Sequence, residues 1–148
     1  MTWKPTDGKF QNLERVLNAG MHAGKPVYLH YTDEAGCAEI MRNCTISDAR
    51  RNETREGSAS GIYLCPSSHA LNQENVLTLL FLGNERYRSR GTHVVVFAFQ
   101  AGGHLIEQPV THGSWAKELI YTGGNVAFAL GDLVYAGRNP FVDVFSVT

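Results

Sequence analysis

Val27-Tyr28-Leu29-His30-Tyr31-Thr32-Asp33-Glu34-Ala35-Gly36 is the stretch on which the fold turns. Following Lys25-Pro26, the run from Val27 to Tyr31 is rich in β-branched and aromatic residues and predicts a strand. Thr32 and Asp33 are residue types that cap a helix, because a short side-chain oxygen can accept from the N–H groups of a first turn. The strand therefore runs directly into a helix, expected from about Asp33 to Asn43. Cys37, Ile40, Met41 and Cys44 fall on one stripe of that helix, which predicts its core-facing side.

Working toward the N-terminus, Phe10, Leu13, Val16 and Leu17 recur at helical spacing and Gly20 stops them, so a leading helix spans Phe10–Ala19 after the polar start Met1–Gly8. Toward the C-terminus, Ser47–Ser60 is rich in Arg, Glu, Ser and Asn and reads as an exposed loop longer than most connections. Gly61–Pro66 predicts a short strand stopped by proline. Ser67 or Ser68 is then positioned to cap a helix carrying Leu71, Val76, Leu79 and Leu80 up to Gly83. A basic stretch, Arg86–Arg90, leads into Thr92–Phe99, so apolar that it predicts a central strand covered on both faces. Short strands punctuated by glycine follow at Leu105–Val110, Glu118–Tyr121, Val126–Leu130, Leu133–Tyr135 and Phe141–Val147. Two early helices among strands and a mostly β second half predict an α+β fold with two packed sheets and flanking helices.

Composition bounds the function. With 148 residues the chain has the length of one domain, 1–148, in which residues 1–26 form the leading helix and linker. Thirteen Lys and Arg against fourteen Asp and Glu give a net charge of −1, so no bulk field draws the chain to nucleic acid or an anionic membrane. Its longest apolar runs, Val76–Leu82 and Val94–Phe99, fall short of the roughly 20 residues of a membrane span. Met1–Phe10 lacks the apolar centre of a signal peptide, so a soluble chain without a classical export signal is expected. Cys37, Cys44 and Cys65 are odd in number and have no C-x-x-C spacing, which predicts free thiols. The six histidines, His22, His30, His69, His93, His104 and His112, do not pair at ligand spacing on one element, so no metal is expected. Signatures of Rossmann and P-loop nucleotide sites, of zincins and of serine-elbow hydrolases are absent.

His30 stands out because it lies in an apolar strand that ends where a helix begins, a junction at which backbone N–H groups collect polar ligands. Its alternative is a half-buried histidine bonded to a backbone carbonyl. The runs 27–36, Ile40-Met41-Arg42-Asn43 and Gly61-Ile62-Tyr63-Leu64 combine an H-Y-T strand, a short helix, a variable loop and a G-[IV]-Y-L strand. Leu80-Phe81-Leu82-Gly83-Asn84-Glu85-Arg86-Tyr87, Val94–Phe99 and Glu118-Leu119-Ile120-Tyr121 extend the pattern. Together they resemble the bacterial toxin-type ADP-ribosyltransferases with a His-Tyr-Asp/Glu signature, over roughly Val27 to Tyr121.

The resemblance implies a split two-sheet core with flanking helices, and NAD⁺ as the substrate, with no metal. It implies cleavage of the nicotinamide–ribose bond and transfer of ADP-ribose to a macromolecular acceptor, protein or nucleic acid, or hydrolysis by an NAD⁺ glycohydrolase. It also implies a toxin or effector domain of bacterial competition, acting in the cytosol of a target cell after delivery, whose producer needs a cognate immunity protein. By position, His30 would bond a ribose, Tyr63 would stack on nicotinamide, and Glu118 would hold the ribose 2′-hydroxyl and stabilise the developing cation. Tyr31 and Thr32 would belong to the NAD⁺-binding strand, the Tyr31 backbone gripping the nicotinamide amide. Arg51, with Arg50 and Arg55, would clamp the pyrophosphate; the alternative is a solvated loop shared with Glu53 and Glu56.

Glu118 has rivals and an ordinary reading. Asp132 and Asp143 are the other candidate acids, although Asp132 follows Gly131 where turn chemistry alone selects Asp. A glutamate that opens a strand is ordinarily a solvated edge carboxylate. Diphtheria-toxin-type relatives carry a second tyrosine about eleven residues beyond the first, where this chain reads Asn72-Gln73-Glu74-Asn75. Arginine-modifying relatives carry Gln or Glu two residues before the acid, where this chain has Ala116 between Trp115 and Lys117. Trp115 suits either target recognition or a rim aromatic, and the Arg86, Arg88, Arg90 and Tyr87 group either nucleic-acid contact or a solvent-facing turn. Two other classes stay open: an inactive ADP-ribosyltransferase-like binding module, and a metal-independent ribonuclease using His30 and His112 as acid and base.

Overall fold

Strand β2 (Lys25–Thr32) lies inside the sheet because its alternate residues are apolar toward both faces: Val27, Leu29 and Tyr31 pack on one side and Tyr28 on the other. The structure, a computed structural model, describes residues 11–47, 61–109 and 117–141. Before β2 come helix α1 (Gln11–Ala19) and the two-residue strand β1 (Met21–His22), and after it helix α2 (Glu34–Asn43) and strand β3 (Thr45–Ile46). Strand β4 (Ile62–Pro66) follows, then a short helical turn α3 (Gln73–Asn75) that continues as a π-helical turn over Val76–Leu80 and a 3₁₀ segment over Glu85–Gly91. Strands β5 (His93–Ala98), β6 (Leu105–Pro109), β7 (Lys117–Tyr121), β8 (Val126–Ala127) and β9 (Leu133–Arg138) complete the described elements.

The main sheet has the order β6-β7-β4-β2-β5-β9, every neighbouring pair antiparallel, with β1 also paired to β2. A mainly antiparallel sheet with a few helices makes this a mixed α+β arrangement. On one face α1 contributes Leu13, Val16 and Leu17, and the turn over Val76–Leu80 contributes Val76 and Leu80, to a core with Val94 and Val96. On the other face α2 contributes Cys37 and Ile40, packed with Ile62, Leu64, Val95 and Phe97, while β3 pairs with β8 and adds Ile46 and Val126. The expected central strand is β5, buried through both faces.

Several local expectations need correction. Asn72, not Ser67 or Ser68, caps α3: its side-chain oxygen accepts from Asn75 N–H at 2.8 Å, and the serines lie earlier, in the turn that leaves β4. The core-facing stripe of α2 keeps Cys37 and Ile40, with Cys44 packed against the same core, and loses Met41. Met41 is 38% exposed, and Cys44 sits beyond the helix in a left-handed C-cap (φ 51°), half-buried. The strand expected over Val126–Leu130 stops at Ala127, and Leu130–Asp132 forms a 3₁₀ turn in which Asp132 accepts from Ala129 N–H. The loop from Ser47 to Ser60, Phe10 and the strand Phe141–Val147 lie outside the described residues, except for Ser47 and Phe141.

The feature that positions a site is a weak seam. Strand β2 pairs with β5 over six residue pairs, from Val27↔Ala98 to Thr32↔His93. With β4 it pairs only at Tyr28↔Pro66 and Leu29↔Cys65. Beyond Leu29 the two strands part, leaving the halves β6-β7-β4 and β2-β5-β9 joined at one end and open at the other.

Candidate functional site

The opening between β2 and β4 is a cavity of about 450 Å³, within the roughly 300–1,000 Å³ of small-molecule sites. His30, Tyr31 and Thr32 of β2 line it, with Tyr63 and Cys65 of β4. Glu118 of β7 reaches it from the next strand. Asp33, Gly36 and Glu39 enter from the start of α2, and Leu80, Phe81 and Arg90 from the segment between α3 and β5. His30, Tyr63 and Glu118, chosen from sequence, are thus brought together from three strands.

His30 is held by the very contact that its ordinary reading anticipated. Its Nδ1 lies 3.0 Å from the Tyr63 carbonyl oxygen, bridging the strands just where their ladder stops. A carbonyl can only accept, so Nδ1 carries the hydrogen and, in the neutral ring, Nε2 is the acceptor. The structural bond and the placement in the cavity coexist: one nitrogen ties β2 to β4, and the ring still forms part of the wall.

Glu118 departs from its ordinary reading. Strand β7 lies between β6 and β4 and is not an edge, and Glu118 is only 3% exposed. Carboxylates are rarely buried without a role, since removal from water disfavours the charge unless it is compensated. The low-dielectric setting in turn strengthens whatever field Glu118 exerts on a ligand.

Tyr31 serves through its side chain as well as its strand. Its buried hydroxyl donates to the His69 carbonyl at 2.5 Å and accepts from Leu71 N–H at 2.7 Å, locking the segment after β4 onto β2. Burial holds its pKa well above the usual phenol range, so it stays a neutral hydrogen-bonding group. His69, in turn, accepts from Lys117 N–H through Nε2 at 2.9 Å, which fixes the backbone beside Glu118, and its Nδ1 lies 3.0 Å from Ser68 Oγ.

Burial, with the Lys117 charge, lowers the His69 pKa from 6.5 to about 4. A depressed histidine penalises the fold where the unfolded chain binds the proton and the folded one does not. Stability should therefore fall as the pH drops from about 6.5 to about 4, by roughly 3 kcal/mol for this group. Urea unfolding across that window measures it. His69→Gln, whose amide oxygen can still accept the Lys117 N–H, should flatten this component.

Asp33 caps α2, its Oδ1 accepting from Gly36 N–H at 2.7 Å. Gly36 must be glycine for lack of room: a Cβ there would lie 2.2 Å from Thr32 Oγ1 and 3.1 Å from Asp33 Oδ1. Gly36→Ala is therefore expected to cost about 1–3 kcal/mol of unfolding free energy and to displace the Thr32 wall of the cavity. Chemical denaturation checks the first effect and ligand titration the second.

Asp132 is not brought to this cavity. It makes an ion pair with Lys25 at 3.0 Å, and that bond holds its carboxyl below the usual range, the mark of a structural link between β2 and the turn before β9. Arg50, Arg51, Arg55, His112, Trp115, Ala116 and Asp143 lie outside the described residues. The sequence reading places Arg90 in a group suited to nucleic-acid contact or a solvent-facing turn and Phe81 in the family-like pattern, and assigns neither to the cavity that both line. Both belong to a π-helical turn followed by an Arg-rich 3₁₀ segment, and π-helical turns recur at functional sites.

Among the described residues no group of His, Cys, Asp and Glu is arranged to hold a metal, and no helix is long and apolar enough to cross a membrane. Comparison with protein-family models, with curated proteins and with solved structures gives no match for this chain.

Proposed function

We propose that the chain is an NAD⁺-consuming enzyme with an ADP-ribosyltransferase-like core, in which the halves β6-β7-β4 and β2-β5-β9 split around the substrate. The observation that carries this reading is the convergence of His30, Tyr63 and buried Glu118 on one cavity at the seam of the sheet. In this reading Glu118 faces the ribose and stabilises the positive charge that grows on C1′ as its bond to the nicotinamide nitrogen breaks, the electron pair leaving with nicotinamide. His30, whose Nδ1 donates to the Tyr63 carbonyl, presents its ring to a ribose hydroxyl. Tyr63 stacks on the nicotinamide ring, and Phe81 supplies the second aromatic wall that Asn72–Asn75 lacks. A nucleophile then adds to C1′ and gives up its proton, completing transfer to a macromolecule or, with water, release of ADP-ribose.

The resemblance in sequence adds a toxin or effector role in the cytosol of a target cell, with a cognate immunity protein in the producer. Ala116, two residues before Glu118, disfavours arginine as the acceptor and gives weight to hydrolysis as the second reading. Incubation with NAD⁺ labelled on the adenylate, with and without a cell lysate, tests the proposal. Label in macromolecules supports transfer, label in free ADP-ribose supports hydrolysis, and intact NAD⁺ in both samples overturns the enzyme reading. Intact NAD⁺ that remains bound would instead assign the inactive module.

A further inference from the structure

We propose that Arg90 is the anion-binding residue of this cavity, and that the ligand it receives carries a phosphate or pyrophosphate group. The substrate class rests on the reading of the cavity as an NAD⁺ site; the charge argument comes from the cavity itself. Three carboxylates, Asp33, Glu39 and Glu118, line the space, and Arg90 is the only Lys or Arg among the described residues that does so. Of the Asp, Glu, Lys and Arg side chains that line the space, only that guanidinium attracts a pyrophosphate.

The other place where a phosphate could settle is the start of α2, where Asp33, Ala35 and Gly36 line the same space. That position is taken. Asp33 already accepts from Gly36 N–H at 2.7 Å, so an incoming anion would meet a carboxylate in place of a donor.

Arg90 also differs from its neighbours in the same segment. Arg88 is engaged by Glu74 and by Glu85, the latter at 2.6 Å. Arg86 and Arg90 flank the ring of Tyr87, at 5.4 and 5.7 Å from its centroid, and of these only Arg90 lines the cavity. Tyr87 is stacked on Phe81 at 5.1 Å, so Arg90 is shelved on an aromatic pair that reaches the cavity wall. Among the described residues Arg90 makes no ion pair with a carboxylate, which leaves its bidentate face for a ligand.

The backbone beneath it is fixed. Asn139 Nδ2 donates to the Gly91 carbonyl at 3.0 Å and to the Leu71 carbonyl at 2.9 Å. Gly91 is packed so tightly on Val76 that a Cβ would lie 2.9 Å from the Val76 Cβ. A fixed backbone spares the ordering of the segment that carries the guanidinium, which favours Arg90 as an anchor.

Calorimetric titration of the whole chain with ADP, inorganic pyrophosphate and adenosine tests the inference. Wild type should prefer ADP to adenosine. Arg90→Gln should weaken ADP and pyrophosphate binding by roughly 10- to 100-fold and leave adenosine within about twofold. Arg90→Lys should recover part of the loss, and Arg86→Gln should bind all three as wild type does. Should Arg90→Gln fail to fold, the Arg90→Lys deficit and the salt dependence of ADP binding by wild type carry the same test. Equal ADP affinity in wild type and Arg90→Gln, or no preference for ADP over adenosine, overturns the assignment. Nicotinamide release assayed on the same samples separates the two ideas. Release without Arg90-dependent ADP binding removes the anion site and leaves the NAD⁺ reading, whereas Arg90-dependent binding without release keeps the anion site and removes that reading.

Discussion

Glu118→Gln should lower the rate of nicotinamide release from NAD⁺ by roughly 10²- to 10³-fold while changing NAD⁺ affinity only a few-fold. The substitution keeps size and hydrogen-bonding shape and removes one negative charge. Glu118 is 3% exposed, so the lost charge is not replaced by solvent. A carboxylate that stabilises charge present only in the transition state changes kcat, whereas one that merely grips the substrate changes affinity. The two are separated by steady-state kinetics together with direct titration. A fall in affinity equal to the fall in kcat/KM, with kcat unchanged, would reassign Glu118 to substrate binding.

The largest loss of stability is expected at Phe97. This β5 residue is 0% exposed and its ring is stacked on Phe128 at 5.3 Å, with Tyr28 and Phe99 each at 6.3 Å. Truncation to alanine removes the ring from among three aromatic neighbours in a strand held on both sides by neighbouring strands, so collapse around the gap is restricted. Phe97→Ala should cost about 3–5 kcal/mol of unfolding free energy, a large share of the roughly 5–15 kcal/mol that holds a domain together. Phe97→Leu, which fills more of the space, should cost less. Urea denaturation monitored by circular dichroism checks both, and a loss under about 1 kcal/mol for the alanine variant would contradict the packing described.

The strand-to-helix junction was legible because its signals are local. The β-branched and aromatic run from Val27 to Tyr31 and the capping types Thr32 and Asp33 both act within a few residues; the strand forms as read, and of the two it is Asp33 that caps the helix. The apolar run at β5 was equally plain, since a strand covered on both faces has no polar alternation to hide it. Ser67 and Ser68 misled because cap chemistry is shared by many short polar residues, and Tyr31 instead anchors the segment around His69 and Leu71 so that the helix starts only at Asn72. Met41 sits at helical spacing from Cys37, but α2 ends at Asn43 and its narrow core contact stops at Ile40.

The site was partly legible for a different reason. His30, Tyr63 and Glu118 were chosen by a family-like pattern, and strand order then determines that β2, β4 and β7 are consecutive across the sheet. The early end of the β2–β4 ladder left no local mark in the sequence, because a seam between strands 33 residues apart is a tertiary outcome. Arg90 and Phe81 were hidden likewise: their presence in the cavity depends on how the π-helical turn and the 3₁₀ segment pack on the sheet.

The most direct measurement is the release of nicotinamide from NAD⁺ by the wild-type chain, followed by chromatography over time against a blank without protein. The proposed site predicts release that is linear in protein concentration, saturates with NAD⁺ and is inhibited by ADP-ribose competing for the same cavity. Release indistinguishable from the blank, from a folded preparation with millimolar NAD⁺, would contradict it.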